Sequence, residues 1–357
     1  MKELSRTVID YVMSLGACAA GIVTVNTLEG GPPSADLQYI LPSAQSAVVF
    51  ALSLDQTMIM PFLQKKDRLS HERNNIATNT MASGIALELA NYLNQKGYPS
   101  IPVASNQVYR KESLPNGLMD LMPNISLRYL AVRSGIGWFG LSGNVIRKNE
   151  GAAIILGATV TEAKLIPTSP LAEEDNYCDK CRLCVASCMS GLIDDKEKTE
   201  ISLGGIAFSY AKRRTYRRCE YVCGGFTGLH PSGKWSNWSP GRFSIPHEDV
   251  AFMPALKKAV KASWNWPERE GGFYHLLMKK KLYLTCGNCQ LICSPERDER
   301  KRRFKSLTES GVVVQNQDGS LEVLSQQAAN ERVALLPPNI RALYEDTSPA
   351  EESTKRT

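Results

Sequence analysis

Four cysteines stand in the stretch CDKCRLCVASC at 178–188, spaced C-x2-C-x2-C-x3-C. Three more, Cys286, Cys289 and Cys293, follow in CGNCQLIC. Cys219 and Cys223 lie between the two runs, and Cys18 stands apart. Ten cysteines grouped in this way indicate metal or redox chemistry rather than a disulfide frame. Zinc knuckles also use C-x2-C pairs, but a fourth thiolate packed as closely as Cys188 has trouble completing the same tetrahedron. The spacing indicates iron–sulfur clusters, and therefore one-electron transfer.

Where two cubane clusters share one chain, the first three cysteines of a run hold one cluster and the fourth reaches to the other. On that rule Cys178, Cys181 and Cys184 hold the first cluster with Cys293. Cys286 and Cys289 hold the second with Cys188, which leaves it one ligand short. Cys219 and Cys223 are both placed to supply the eighth thiolate, and spacing alone does not choose between them. The proline that usually follows each run is absent at Met189 and displaced by one residue in CSP at 293–295. It shapes backbone and is no ligand, so the assignment stands.

The elements that position these thiols come next. A length of 357 residues suggests two domains, or one large domain with an attached module. A hydrophobic fraction of 43% is that of a globular chain with a real core. The net charge of +6 is mild, and the run ERDERKRRFK at 296–305 reads as a solvated helix face. No apolar run approaches the ~18–20 residues of a membrane span. SLGACAAG at 14–21 faintly resembles a lipid-bearing cleavage site. Asp10 breaks the apolar stretch before it, so Cys18 is expected in the core and the chain in the cytoplasm.

Periodicity predicts a helix over 3–15, strands over 19–25 and 46–54, and a helix over about 72–96 ending at Gly97. Ile76, Ile85, Leu89, Tyr92 and Leu93 should line one face of that helix. A strand at 98–104, helical character at 125–135 and a buried β-branched strand at 152–162 complete an α/β domain over 1–168. A cysteine-bearing module should occupy 169–300, with an insertion at 224–285. The remainder, 301–357, holds a hairpin over 311–324 turning at Asp318-Gly319, and a polar tail expected to be disordered. GIGWFG at 135–140 fits the dinucleotide fingerprint in form only. A helix precedes it and a strand follows, the reverse of what a pyrophosphate site requires, so NAD is rejected.

SLRYLAVRSGIGWFGLSGNVI at 126–146, GAAIILGATVTEAKL at 151–165 and then the cysteine run resemble the core of the epoxyqueuosine reductases and reductive dehalogenases. NQKGYPSIPVASN at 94–106 is similar to a stretch common among the dehalogenases. RRCEYV at 217–222 is similar to an isolated segment of epoxyqueuosine reductases whose cysteine ligates the second cluster. That likeness selects Cys219. The resemblance runs over about residues 1–300 and is strongest across 126–188 and 286–293. It implies a nitroreductase-like α/β (α+β) domain that binds a corrinoid, followed by a ferredoxin-like module with two [4Fe-4S] clusters.

By the same resemblance, cobalamin is the second cofactor and receives electrons from the clusters. Gly135, Gly137, Trp138, Gly140, Ser142, Gly143 and Asn144 would let the backbone approach it; a tight helix-to-strand turn would explain the same glycines. For the catalytic acid, the epoxyqueuosine reductases point to Asp120, although the family's flanking residues are absent. The dehalogenases point to Tyr109 with its basic neighbour Arg110. The family's Thr-Asp after the long strand is Thr161-Glu162 here.

About sixty residues follow the second run, too few for the helical repeats with which epoxyqueuosine reductases grip tRNA, and no twin-arginine signal is present. HPSGKWSNWSPGRF at 230–243 packs two tryptophans into a Pro/Gly-rich loop, either a substrate lid or docking surface, or an insertion shielding the clusters. The expected protein is a soluble iron–sulfur, cobalamin-dependent reductase of a small organic molecule, fed by ferredoxin or flavodoxin. Membrane and nucleic acid are not expected as partners. The alternatives are epoxyqueuosine reduction on tRNA and a non-catalytic electron carrier.

Overall fold

The structure, a computed structural model, describes residues 1–105, 109–110, 122–268 and 284–346. It divides into two compact units. The first joins Met1–Arg217 to Gly287–Ser306, and the second joins Arg218–Cys286 to Leu307–Thr357. Compactness therefore runs across the expected segments: the first cysteine run and most of the second pack with the α/β portion.

In the first unit, the helix Lys2–Ser14 leads into β1 (Ala19–Thr24) and β2 (Ser46–Ser53). The helix Leu69–Gln95 leads into β3 (Ser100–Val103). The helix Leu127–Arg133 opens onto a two-stranded ribbon of β4 (Trp138–Phe139) and β5 (Val145–Ile146), and β6 (Ile154–Thr161) follows. The main sheet has the order β1-β2-β6-β3, with every pair antiparallel. Its middle strands are apolar on both faces, as strands covered on both sides must be. On one face Ala47, Val49 and Ala51 join Leu130, Ala131 and Val132 in the core. On the other, Thr159 Oγ1 donates to the Ala86 carbonyl of the long helix at 2.8 Å. Gly157 makes room on this face, since a Cβ there would strike the Phe50 ring of β2 and crowd the Ala82 carbonyl of the helix at 3.2 Å.

The long helix departs from expectation in its first half. Ile85, Leu89 and Leu93 are buried as predicted, but toward the N-terminus the buried positions are His71, Glu72, Asn75 and Thr78. Arg68 pairs with Glu72 one turn on. The element order around GIGWFG is the expected one, helix before and strand after.

The hairpin of β7 (Ile193–Leu203) and β8 (Ile206–Arg213) also belongs to this unit and has no counterpart in the sequence reading. The second unit contains the helix Phe252–Ser263, the hairpin of β9 (Val312–Gln315) and β10 (Leu321–Leu324), and the helix Gln326–Ala334. Gly319 takes a φ of 89° at the turn, where the sequence placed it. An aromatic core of Tyr221, Phe226, Phe243, Phe252, Trp266 and Tyr344 holds this unit together.

Candidate metal centre

Cys178, Cys181, Cys184 and Cys293 line one cavity, together with Leu141, Ser142, Tyr177, Ile292 and Arg300. This is the quartet that ferredoxin wiring assigns to a single cluster. The first run can encircle the cavity because Lys180 and Arg182 adopt left-handed backbone, with φ of 53° and 63°. Such conformations are uncommon for residues with a side chain and concentrate at functional sites. Asn176 Oδ1 accepts from the Cys178 N–H at 3.1 Å, and Asp179 Oδ1 accepts from the Cys181 N–H at 3.1 Å. The second run is anchored by a different glycine. The Ala152 N–H donates to the Cys293 carbonyl at 2.9 Å, and a Cβ on Gly151 would collide with that carbonyl.

Hydrogen-bond donors reach the sulfurs. The Leu141 N–H points to Cys178 Sγ at 3.3 Å, and Tyr177 Oη lies 3.5 Å from Cys293 Sγ. Asn144 Nδ2 approaches Cys289 Sγ at 3.7 Å, with its amide oxygen accepting from Arg213 Nη2 at 2.7 Å. Burial pushes the Cys293 thiol up to about 11. Burial also raises Cys184, and the nearby thiolates of Cys289, Cys293, Cys178 and Cys181 raise it further. Buried thiols that repel one another's negative charge form a donor set completed by a cation. Four thiols of this spacing that line one cavity are the donor set an iron–sulfur cluster takes, so the quartet fits such a cluster.

Ligands expected for the second cluster divide between the units: Cys188 and Cys289 in the first, Cys219 and Cys286 in the second. Within the second unit, Cys219 and Cys223 lie one turn apart on the helix Arg217–Cys223. Thr285, just before Cys286, is tied to the end of that helix. Its Oγ1 donates to the Val222 carbonyl at 2.9 Å and its N–H to the Cys223 carbonyl at 3.3 Å. Asn237 adds a bond from Nδ2 to Val222 O at 3.3 Å. Trp235 and Trp238 are buried, so the second half of the 230–243 loop is packed interior of this unit, while Pro231, Ser232 and Lys234 are exposed.

The residues expected to cradle a corrinoid serve the chain itself. A Cβ at Gly135 would strike the Ser169 carbonyl, and one at Gly137 the Ile146 carbonyl. Gly143, with φ of 72°, would meet the Tyr210 ring. Ser142 borders the cysteine cavity and Asn144 faces Cys289. Only Gly137 and Trp138 of the set border the neighbouring cleft of about 470 Å³, whose wall also includes Phe139, Leu171, Ile206 and Phe208. The bare backbone of these glycines is therefore taken up by a helix-to-strand turn. The described residues of 135–144 do not by themselves fit a corrinoid.

Asp120 lies outside the described residues. Tyr109 pairs with Pro123 in an isolated β-bridge. Arg110 is buried, donating from Nη2 to the carbonyls of Pro33 at 2.6 Å and Asn124 at 3.2 Å, and its guanidinium lies 3.7 Å over the Tyr39 ring. These contacts pin the chain locally. Cys18 packs against the core and donates from Sγ to the Ala51 carbonyl at 3.3 Å; burial lifts its thiol to about 11.

No protein-family model matches the chain. Among curated proteins, the epoxyqueuosine reductase of Cyclobacterium marinum is 28% identical over 154 residues, 40% of this chain and 45% of that protein. That of Atelocyanobacterium thalassa is 41% identical over 58 residues, 16% of this chain and 18% of that protein. Among solved structures, an epoxyqueuosine reductase with an epoxyqueuosine-modified tRNA-Tyr stem loop aligns at a TM-score of 0.42 and 16% identity. That alignment covers 64% of this chain and 59% of the other. The resemblance read from the motifs is thus matched by curated relatives of that name, of which the chain spans less than half. One expectation is corrected: nucleic acid is not set aside as a partner, because the curated relatives are named epoxyqueuosine reductases.

Proposed function

We propose that this relative of the epoxyqueuosine reductases is an iron–sulfur oxidoreductase that delivers electrons singly to a substrate held by the same chain. The observation that carries the reading is the meeting of Cys178, Cys181, Cys184 and Cys293, from segments more than a hundred residues apart in sequence, around one cavity. A cubane cluster bound there supplies low-potential one-electron chemistry. The chain's own part is to exclude water with Leu141, Ile292 and Tyr177, and to aim N–H and O–H donors at the sulfurs. The resemblance assigns a second cluster to Cys188, Cys219, Cys286 and Cys289.

A corrinoid is the acceptor implied by the resemblance, and the described residues of 135–144 do not by themselves supply its site. The substrate classes are an epoxide such as epoxyqueuosine in tRNA, as the relatives' names indicate, and a small halogenated or epoxide-bearing molecule. An external one-electron donor, ferredoxin or flavodoxin, completes the reaction.

The test is single-turnover oxidation of the dithionite-reduced, reconstituted protein, with and without added cobalamin. An epoxyqueuosine-containing tRNA stem loop and a halogenated phenol are offered separately. Cluster bleaching that reverses with substrate, alongside a reduced product detected by mass spectrometry, is expected for one of the two. Clusters that reduce and reoxidise with neither substrate, but pass electrons to an added protein acceptor, would make the chain an electron carrier.

A further inference from the structure

The run of charge at 296–305 is not a uniformly solvated face. It lies in the helix Arg297–Thr308, and within it Arg300 and Arg303 turn inward, with side chains 5% and 7% exposed. Arg303 has ordinary partners in Glu299 and the Leu291 carbonyl. Arg300 is different, because it lines the cysteine cavity.

Its Nη1 donates to the carbonyls of Ser294 at 2.9 Å and Pro295 at 2.8 Å, just after Cys293. Its Nη2 donates to Asp179 Oδ2 at 2.9 Å, between Cys178 and Cys181. The buried Nε has no protein acceptor. A buried guanidinium is costly unless its charge is matched. The carboxylate beside it is only a partial match: Asp179 is 34% exposed and also pairs with Arg297 at 3.4 Å. The guanidinium, which also interacts with the Cys181 side chain, stands where a cluster held by four thiolates would place net negative charge.

We propose that Arg300 and Asp179 are an opposed charge pair that sets the reduction potential of the cluster on Cys178, Cys181, Cys184 and Cys293. The proposal rests on the iron–sulfur reading above. The step is the gain of one electron by the cluster from an external one-electron donor, which is oxidised by one electron; no proton or bond is exchanged. Reduction adds one negative charge beside Arg300, so the guanidinium favours the reduced form and raises the potential. The Asp179 carboxylate disfavours it and lowers the potential. Cluster potentials respond to local charge and to hydrogen bonding at the sulfurs. Both residues are positioning groups: Asp179 acts on the cluster through space, and Arg300 through space and through its hydrogen bond with the Cys181 side chain. The sequence hid the pair, because nothing in ERDERKRRFK marks one arginine as internal.

The experiment is an EPR-monitored redox titration of the reconstituted full-length protein, using dithionite as reductant, for the wild type, Arg300→Gln, Arg300→Lys and Asp179→Asn. Arg300→Gln is expected to lower one cluster's potential. Its reduced-to-oxidised ratio at fixed potential should fall about tenfold, ~59 mV for one electron. Asp179→Asn should shift the same cluster upward, Arg300→Lys should stay near the wild type, and any other cluster should hold its value. A residue that merely stapled the two cysteine runs would not give shifts of opposite sign. Intact clusters with unmoved potentials, or shifts of the same sign, would overturn the proposal. Should Arg300→Gln lose the cluster, Asp179→Asn and Arg300→Lys decide by the same criteria. A wild type with no cluster signal would instead remove the iron–sulfur reading and this proposal with it.

Discussion

Cys293 carries the account at the residue scale, because it is the one thiol of the first quartet that comes from the second run. Cys293→Ser should cost one cluster and leave the other, dropping bound iron from about eight per chain to about four. Iron and sulfide assays with visible absorption would check this; a variant with unchanged iron would break the crossed wiring. The meeting of Cys178, Cys181 and Cys184 with Cys293 was legible in the spacing, since the first run and the C-x2-C-x3-C of the second follow the rule for paired clusters. The surroundings of the thiols were not. Lys180 and Arg182 give no sign of left-handed backbone in their residue types. Gly151, which makes room for the Cys293 carbonyl, lies outside the glycine motif that drew attention. The glycines of that motif were conspicuous, but a glycine shows only that something comes close. Here the close approach is by the Ser169 and Ile146 carbonyls and the Tyr210 ring.

At the scale of elements, β1, β2, β3 and β6 were readable because apolar β-branched runs bounded by turn residues leave few alternatives. The β7–β8 hairpin was missed for the opposite reason. Its first strand, IDDKEKTEISL, is largely polar and carries an irregularity between Asp194 and Lys198, so no apolar period announces it. The long helix was placed correctly, but its first half buries polar side chains that periodicity assigned to solvent. His71 is 1% exposed, its Nδ1 has no hydrogen-bond partner, and its ring lies 4.5 Å from that of Phe62. Burial pulls its pKa from 6.5 down to about 4. The unfolded chain takes up the proton first, so this group leaves stability untouched above pH 6.5 and erodes it as pH falls from 6.5 toward 4. The full loss is roughly 3 kcal/mol. Urea unfolding at pH 7 and pH 4.5 should show a smaller pH-dependent loss for His71→Leu than for the wild type. Equal losses would mean that His71 is not the group responsible.

On the scale of the molecule, the chain is two compact units, and the ligands expected for the second cluster come from both. The sequence suggested an insertion at 224–285 but could not show that it would fold with the C-terminal hairpin into one unit. The contacts that join them are individual ones, such as the Ser236 N–H to the Gly311 carbonyl at 3.1 Å and the Val313 N–H to Ser236 Oγ at 2.9 Å. Such pairings at long sequence separation leave no local pattern. Cluster number, metal identity and corrinoid retention are properties of the whole chain and are read most directly together. Mössbauer spectroscopy of the full-length protein, reconstituted anaerobically with iron-57 and sulfide and assayed in parallel for cobalt after incubation with cobalamin, makes that reading. The account predicts two [4Fe-4S] clusters per chain, one of them lost in Cys293→Ser. Iron bound only as isolated ions, or a chain that takes up zinc and forms no cubane, would contradict it.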